Sequence, residues 1–268
     1  MSSVPHIPFD SYVPKIAIVT GGAQGIGYAI VHRLADDGFD VAINDIPTKR
    51  KELDTVTEEV RKKGRRAIAV PGDVSSESDV VALVETTVYE LGGVDVMVAN
   101  AGIILAGEFL ELPVEKLDAT LAVNVRGVFL CLKHAALQMV KQGRSGRLIA
   151  ASSVMGKQGG PQISAYSASK FAVRGLIQSA SIDLRKYGIT ANAYAPGVIR
   201  SAMIVNMQLF QAKGFLEAQA TADEVSSASR PFAEPEIVAS LVSYLAKPES
   251  YFVNGQSIIV DGGSYHFD

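Results

Sequence analysis

The sequence predicts an α/β fold: one doubly wound parallel sheet of seven strands with helices on both faces. Three observations predict it. Short, almost wholly apolar runs recur along the chain, and most are separated by stretches with helical spacing. Runs that are apolar throughout, rather than alternating, belong to strands covered on both sides. The first run also leads directly into a cluster of glycines.

Taken in order, residues 15–20 (KIAIVT) form a β-branched strand that ends at the glycines of 21–27. YAIVHRLADDG follows, with Ile30, Leu34 and Ala35 on one helical face and Gly38 as its stop. FDVAIND is the second strand, and a polar helix runs on to about residue 63. RAIAVPGDV is the third strand, followed by a helix near 77–91 and by VDVMVANAG, the fourth. A long helix near 114–142 leads to RLIAASS, the fifth, and a helix starting near Tyr166 leads to ITANAYAPG, the sixth. A helix at 235–246 precedes the seventh, QSIIVDGG. Residues 201–234 are less periodic and are expected to form a loop or helical flap on the substrate side. With no linker, low-complexity tract or repeat, 15–268 reads as a single domain and 1–14 as an N-terminal extension.

Of the 268 residues, 48% are hydrophobic, and the formal net charge is −3. That charge gives no field to gather nucleic acid or an anionic membrane, so neither partner is expected. Apolar runs are short and interrupted by charges, far from the roughly 20 residues that span a bilayer. The basic clusters at 49–51 and 61–66 are interleaved with glutamates and read as solvated helix faces. Cys131 is the one cysteine, which excludes an internal disulfide and a multi-cysteine metal cluster. His6, His32, His134 and His266 are scattered without ligand spacing, so no metal is expected. The first fifteen residues carry neither a basic leader nor a long apolar run, and a cytoplasmic location is the expectation.

Chemistry gathers at the C-terminal ends of the strands, the edge where open α/β sheets bind ligands. In TGGAQGIG (20–27), Gly21, Gly25 and Gly27 permit a tight turn, close approach to a pyrophosphate, and close helix–strand packing. The helix that follows offers N–H donors and a positive dipole to the phosphates. Asp45 ends the second run, 18 residues after Gly27, where a carboxylate can accept from both adenosine ribose hydroxyls and repel a 2′-phosphate. NAD is therefore the expected cofactor, although Lys49, Arg50 and Lys51 would favour NADP if they folded back. Tyr166 and Lys170 are four apart on one helix face. A phenol near pKa 10 needs roughly 4 kcal/mol of preference for the phenolate to reach about 7. A neighbouring ammonium and a charged nicotinamide both act in that direction. Ser153 ends the fifth strand thirteen residues before Tyr166 and can bond the substrate oxygen. Alternation turns Ser152 the other way. Each feature also has a plainer reading: an N-cap for Asp45 or Asp73, a turn for Asn100 to Gly102, a surface helix for the Tyr–Lys pair, a structural amide for Asn124.

TGxxxGxG, Ser153, YSASK (166–170) and the strand-end motifs resemble the short-chain dehydrogenase/reductase family over nearly the whole chain, which implies a Rossmann-type sheet. The resemblance implies that Gly21, Gln24, Gly25, Ile26, Gly27, Asp45, Asp73, Val74, Asn100, Gly102, Pro196, Gly197, Ile199 and Ser201 contact the cofactor, together with Tyr166 and Lys170. Asp73 would lie against the adenine, and the Pro196-Gly197 turn with Ser201 would hold the carboxamide. Ala99 stands where the family often has a first asparagine. Asn124, Ser153, Tyr166 and Lys170 would be catalytic, with Asn124 holding a water that contacts the lysine. GIGYAIVHRLADDGFDVAINDIP and EPEIVASLVSYLAKPESYFVNGQSIIVDGG are similar to acetoin (diacetyl) reductases, also called 2,3-butanediol dehydrogenases. An acetoin-type secondary alcohol or ketone is thus the first expected substrate. Polyols or a bulkier terpenoid or steroid alcohol stand as alternatives, and an idle nucleotide-binding scaffold is the reading from another class. A homotetramer is the assembly the resemblance implies.

Overall fold

The computed structural model describes residues 12–200 and 233–265. Seven parallel strands form one sheet in the order β3-β2-β1-β4-β5-β6-β7. The strands are β1 (Ile16–Thr20), β2 (Asp40–Asn44), β3 (Ala67–Ala69), β4 (Val96–Ala99), β5 (Gly146–Ala151), β6 (Ile189–Pro196) and β7 (Ser257–Val260). The helices are α1 (Gly25–Asp36), α2 (Arg50–Lys62), α3 (Glu77–Leu91), α4 (Val114–Leu121), α5 (Val128–Gln142), α6 (Ser164–Leu184) and α7 (Pro235–Ala246). Strand order reverses between β1 and β4, which opens a crevice beyond their C-terminal ends.

The apolar runs are explained by the two faces. Ala17 and Val19 of β1 pack into a core shared with α1, α2 and α7. Ile16 and Ile18 pack into a second core with α3, α5 and α6. Successive side chains alternate between the faces, so both sets must be apolar. Helix ends follow local chemistry: the Ser76 hydroxyl accepts from the Asp79 N–H at 3.4 Å at the start of α3. Gly92 and Gly143 end α3 and α5 in the left-handed region, at φ 101° and 68°.

The expected long helix at 114–142 is not regular. A π-helical turn, Ala122–Gly127, separates α4 from α5. Two long-range contacts fix it: the Asn124 amide is bonded to the backbone of Ile103, and Gly127 lies on Val74. This stretch also corrects the reading of apolar runs. Val114–Gln142 is continuous enough, with a mean hydropathy of 1.2, to satisfy the length and composition of a membrane span. Uninterrupted runs understate it, because the helical stretch tolerates Arg126 and Lys133. Half of that window is buried inside the fold, with Leu130, Cys131, Ala135 and Met139 in the second core.

The basic clusters are ion-paired: Lys49 with Glu52, Arg50 with Asp54, Lys63 with Asp36, and Arg65 and Arg66 with Asp40. At the N-terminal ends of the central strands, buried Tyr12 donates to the Asp95 carbonyl at 3.0 Å and lies under the Arg147 guanidinium. The described end of the N-terminal extension is thus packed onto the domain. The described part of the expected flap is short: Ile199 and Ala233 form a parallel bridge, and the Arg200 N–H donates to the Ala233 carbonyl at 3.0 Å. Residues 201–232, which include Ser201, lie outside the described residues.

Candidate active site

The glycine turn sits in the crevice between β1 and β4. Gly21 and Gly25 have φ of 63° and 57°, which strongly favours glycine. A Cβ at Gly27 would stand 2.0 Å from the Gly21 carbonyl oxygen, so α1 can start here only with glycine. Gly22, which sequence reasoning passed over, packs on β2: a Cβ there would lie 2.6 Å from Ile43 Cγ2. Exposed Gln24 is the N-cap of α1 but makes no side-chain cap, leaving the first-turn N–H groups of Gly25, Ile26 and Gly27 without that partner. A turn closed to side chains, at a helix start without a side-chain cap, fits a pyrophosphate.

Around it, Asp45 is half-buried at the end of β2. Its Oδ2 accepts from the Ala23 N–H at 3.1 Å and its Oδ1 from the Ile46 N–H at 2.9 Å. The carboxylate is therefore fixed to the glycine turn itself. Asp73 is exposed at the end of the third run, and its Oδ1 accepts from the Ser75 N–H and hydroxyl at 2.8 Å. Val74 beside it is buried against Gly127. Asn100 is used by the chain: its Nδ2 donates to the Thr20 and Gly21 carbonyls at 2.9 and 3.1 Å. Its Oδ1 accepts from the Tyr194 hydroxyl at 2.7 Å. Asn100 shapes the glycine turn, and Thr20 and Tyr194, missed from sequence, hold Asn100. Thr20 Oγ1 accepts from the Asn100 and Ala101 N–H groups at 3.1 Å.

The second cluster lies beside it. A Cβ at Gly102 would come within 3.3 Å of Asn124 Oδ1 and 3.4 Å of Lys170 Nζ, so the strand end, the π turn and α6 converge on one point. Asn124 is wholly buried; it accepts from the Ile103 N–H at 2.8 Å and donates to the Ile103 carbonyl and to Ser169 Oγ at 2.9 and 3.0 Å. These are the bonds of a structural amide, and they are compatible with the water relay that the resemblance implies for Asn124. Ser152 Oγ donates to the Lys170 carbonyl at 3.1 Å, while Ser153 Oγ accepts from the Met155 N–H at 3.1 Å, so the two hydroxyls have different surroundings, as alternation has it. Lys170, 3% exposed, donates to the Ala151 carbonyl at 2.9 Å, and burial pulls its ammonium down to about 8.

One expectation is corrected. Burial pushes the Tyr166 phenol up, opposed by the Ser153 hydrogen bond, and Lys170 contributes no compensating lowering. The ammonium is turned to Ala151 and stands 5.4 Å from the centre of the Tyr166 ring. The protein's own groups thus leave the phenol protonated, and further positive charge is needed to favour the phenolate.

At the C-terminal end of β6, Pro196 pairs with Val260, and the Gly197 N–H donates to the Val260 carbonyl at 2.9 Å. A Cβ at Gly197 would meet Asp261 Cβ at 2.8 Å, and Ile199 is buried two residues on. Cys131 is buried, its thiol pushed up to about 12, which makes it core rather than nucleophile. His32 and His134 each meet a glutamate, and no group of metal-ligand residues occurs among the described residues.

Comparison with known proteins agrees with this geometry. The short chain dehydrogenase profile matches residues 15–212. The short-chain dehydrogenase/reductase eriH of Hericium erinaceus is 50% identical over 250 residues, spanning 92% of this chain and 96% of that one. L-2,3-butanediol dehydrogenase of Corynebacterium glutamicum is 39% identical over 253 residues, 93% and 98% of the two chains. A blue fluorescent protein from a metagenomic library, solved with NADPH, superposes with a TM-score of 0.82 at 36% identity, over 94% of this chain and 98% of that one. The chain belongs to the short-chain dehydrogenase family and is an oxidoreductase of the alcohol dehydrogenase/ketoreductase kind.

Proposed function

We propose that the protein interconverts a secondary alcohol and a ketone with NAD(H). The observation that carries this is the convergence of Ser153, Tyr166 and Lys170 beside the glycine turn, with Gly102 leaving room against Lys170. A bound nicotinamide supplies the hydride acceptor or donor. Ser153 and Tyr166 hold the substrate oxygen, and Tyr166 exchanges its proton. Lys170, with an ammonium near 8, is poised to pass protons at mildly alkaline pH.

One neighbour holds NADPH, so the choice of NAD rests on this chain's own residues. Asp45 is tied to the turn, and Lys49 and Arg50 are paired along α2 with Glu52 and Asp54 rather than turned toward Asp45. The butanediol relative favours a small vicinal ketol such as acetoin. A bulkier apolar alcohol is the second reading, favoured by the side chains packed around Tyr166. A cytoplasmic homotetramer completes the proposal.

The test is NADH formation or consumption across C4 ketols, diols, polyols and cyclic alcohols, run with NAD and NADP. NAD should be preferred at least tenfold in kcat/KM. Tyr166→Phe should keep NADH affinity and lose about 100-fold or more of turnover, the scale of a lost acid–base group. Turnover retained at half the original level removes Tyr166 from the reaction. Cofactor bound with no turnover of any alcohol returns the scaffold reading.

A further inference from the structure

Tyr166 is embedded among apolar side chains. Ala106, Val154, Met155 and Ile163 form a buried cluster of their own, against which Tyr166 and Tyr265 pack. The cluster joins the segment after β4, the loop that follows Ser153, and the chain beyond β7. Tyr265 reaches it by a built turn. Asp261 accepts from the Gly263 N–H through Oδ1 at 3.0 Å and from the Tyr265 N–H through Oδ2 at 2.9 Å. Its carbonyl accepts from the Ser264 hydroxyl at 2.6 Å, and Gly262 and Gly263 take left-handed backbone, φ 64° and 77°. Asp261 also lies against Gly197, so the turn that delivers Tyr265 is registered to the end of β6.

We propose that this cluster is the wall receiving the larger substituent of the substrate and that Tyr265 is a specificity-determining residue in it. The substrate class is then a secondary alcohol or ketone carrying a hydrophobic ring or branched chain. The inference rests on the alcohol/ketone reading above and takes its second form, the bulkier apolar alcohol, against the small ketol. Beside the reacting oxygen, Ser153 and Tyr166 supply the polar contacts. The cluster next to them offers methyl groups, methylenes, a thioether and an aromatic ring. Apart from the phenol hydroxyls, the side chains of the cluster give a second hydroxyl, as in a diol, nothing to replace the water it would lose, which is unfavourable. A hydrocarbon ring gains by the same burial. The turn at Asp261 fixes the Tyr265 backbone, and packing on the cluster holds its ring, so less ordering is left for binding to supply.

The probes are 4-tert-butylcyclohexanol and butane-2,3-diol, each with NAD, on wild type, Tyr265→Ala and Tyr265→Phe. Wild type should favour the cyclic alcohol by at least tenfold in kcat/KM. Tyr265→Ala should raise KM for the cyclic alcohol about tenfold, the scale of a lost contact in a hydrophobic pocket, and collapse the preference between the two. Tyr265→Phe, which keeps the ring, should restore it. NADH binding and thermal melting of each variant separate a lost wall from a lost fold. Preference for the diol in wild type, or a preference unmoved in Tyr265→Ala, overturns the proposal. Turnover of the diol alone defeats this inference and leaves the reaction reading standing; turnover of neither alcohol also defeats this inference, and the reaction reading falls with it only when no alcohol of the wider panel is turned over.

Discussion

Asn100 shows how a single amide holds the glycine turn at the mouth of the crevice. Both hydrogens of Nδ2 and the acceptor Oδ1 are engaged by Thr20, Gly21 and Tyr194, so the residue acts by holding the turn in shape. Tyr194→Phe keeps the buried ring and removes the hydroxyl, leaving the Asn100 oxygen without that donor. The expected cost is about 1–3 kcal/mol of stability, with a several-fold weaker NADH affinity and a smaller change in kcat. Fluorescence titration of NADH measures it, and an unaltered Kd would show that Tyr194 merely fills space. Gly21, Gly27, Tyr166 and Lys170 were legible in the sequence because they stand in short motifs, a glycine cluster between a strand and a helix and a Tyr–Lys pair one helical turn apart. Tyr194 and Thr20 were not, since they meet Asn100 across 94 and 80 residues. The direction of the Tyr166 shift was missed for a related reason: helical spacing puts Lys170 beside the ring but does not say that Ala151 takes its ammonium.

At the scale of elements, the order of strands and helices could be read because the inner strands are buried on both faces, only the edge strands β3 and β7 being half-buried, and the helices on one. The π turn could not, since its cause is tertiary: Asn124 reaches back to Ile103, and Gly127 admits Val74. The junction of β1 and α1 is the most constrained of these connections. Gly27→Ala would place a methyl 2.0 Å from the Gly21 carbonyl oxygen, a backbone atom that cannot step aside alone. α1 would have to move off the turn, which costs about 1–3 kcal/mol or more as overpacking and displaces the donors meant for phosphate. Thermal melting should fall by several degrees, and NADH binding should be lost even where the fold survives. Wild-type NADH affinity in Gly27→Ala would show that the turn is not the phosphate site.

Among the exposed apolar side chains of the described residues, two groups lie on separate surfaces, and their separation bears on assembly. One runs along α6, where Phe171 and Ile182 are 43% and 71% exposed on one helical stripe, with Phe129 and Leu137 exposed on neighbouring α5. The other lies toward the β7 edge of the sheet, with Ile237 and Tyr244 on α7 and Phe252, 88% exposed, in the loop before β7. Scattered exposed apolar residues are ordinary, but two grouped faces on different sides are what a tetramer of dihedral symmetry uses, one isologous contact through each. The stripes also have the right character: Gly175 between Phe171 and Ile182 has open space above it, which allows a second helix to approach closely. Wild type should therefore run as four chains by light scattering at micromolar concentration. Phe171→Glu combined with Ile182→Glu places four charges on each α6 contact, and should yield dimers held through the β7 side. Those dimers should still bind NADH, because α6 meets the site through its buried face, at Lys170, rather than through this stripe. A wild type that is monomeric, or a double variant that remains four chains, would refute the arrangement.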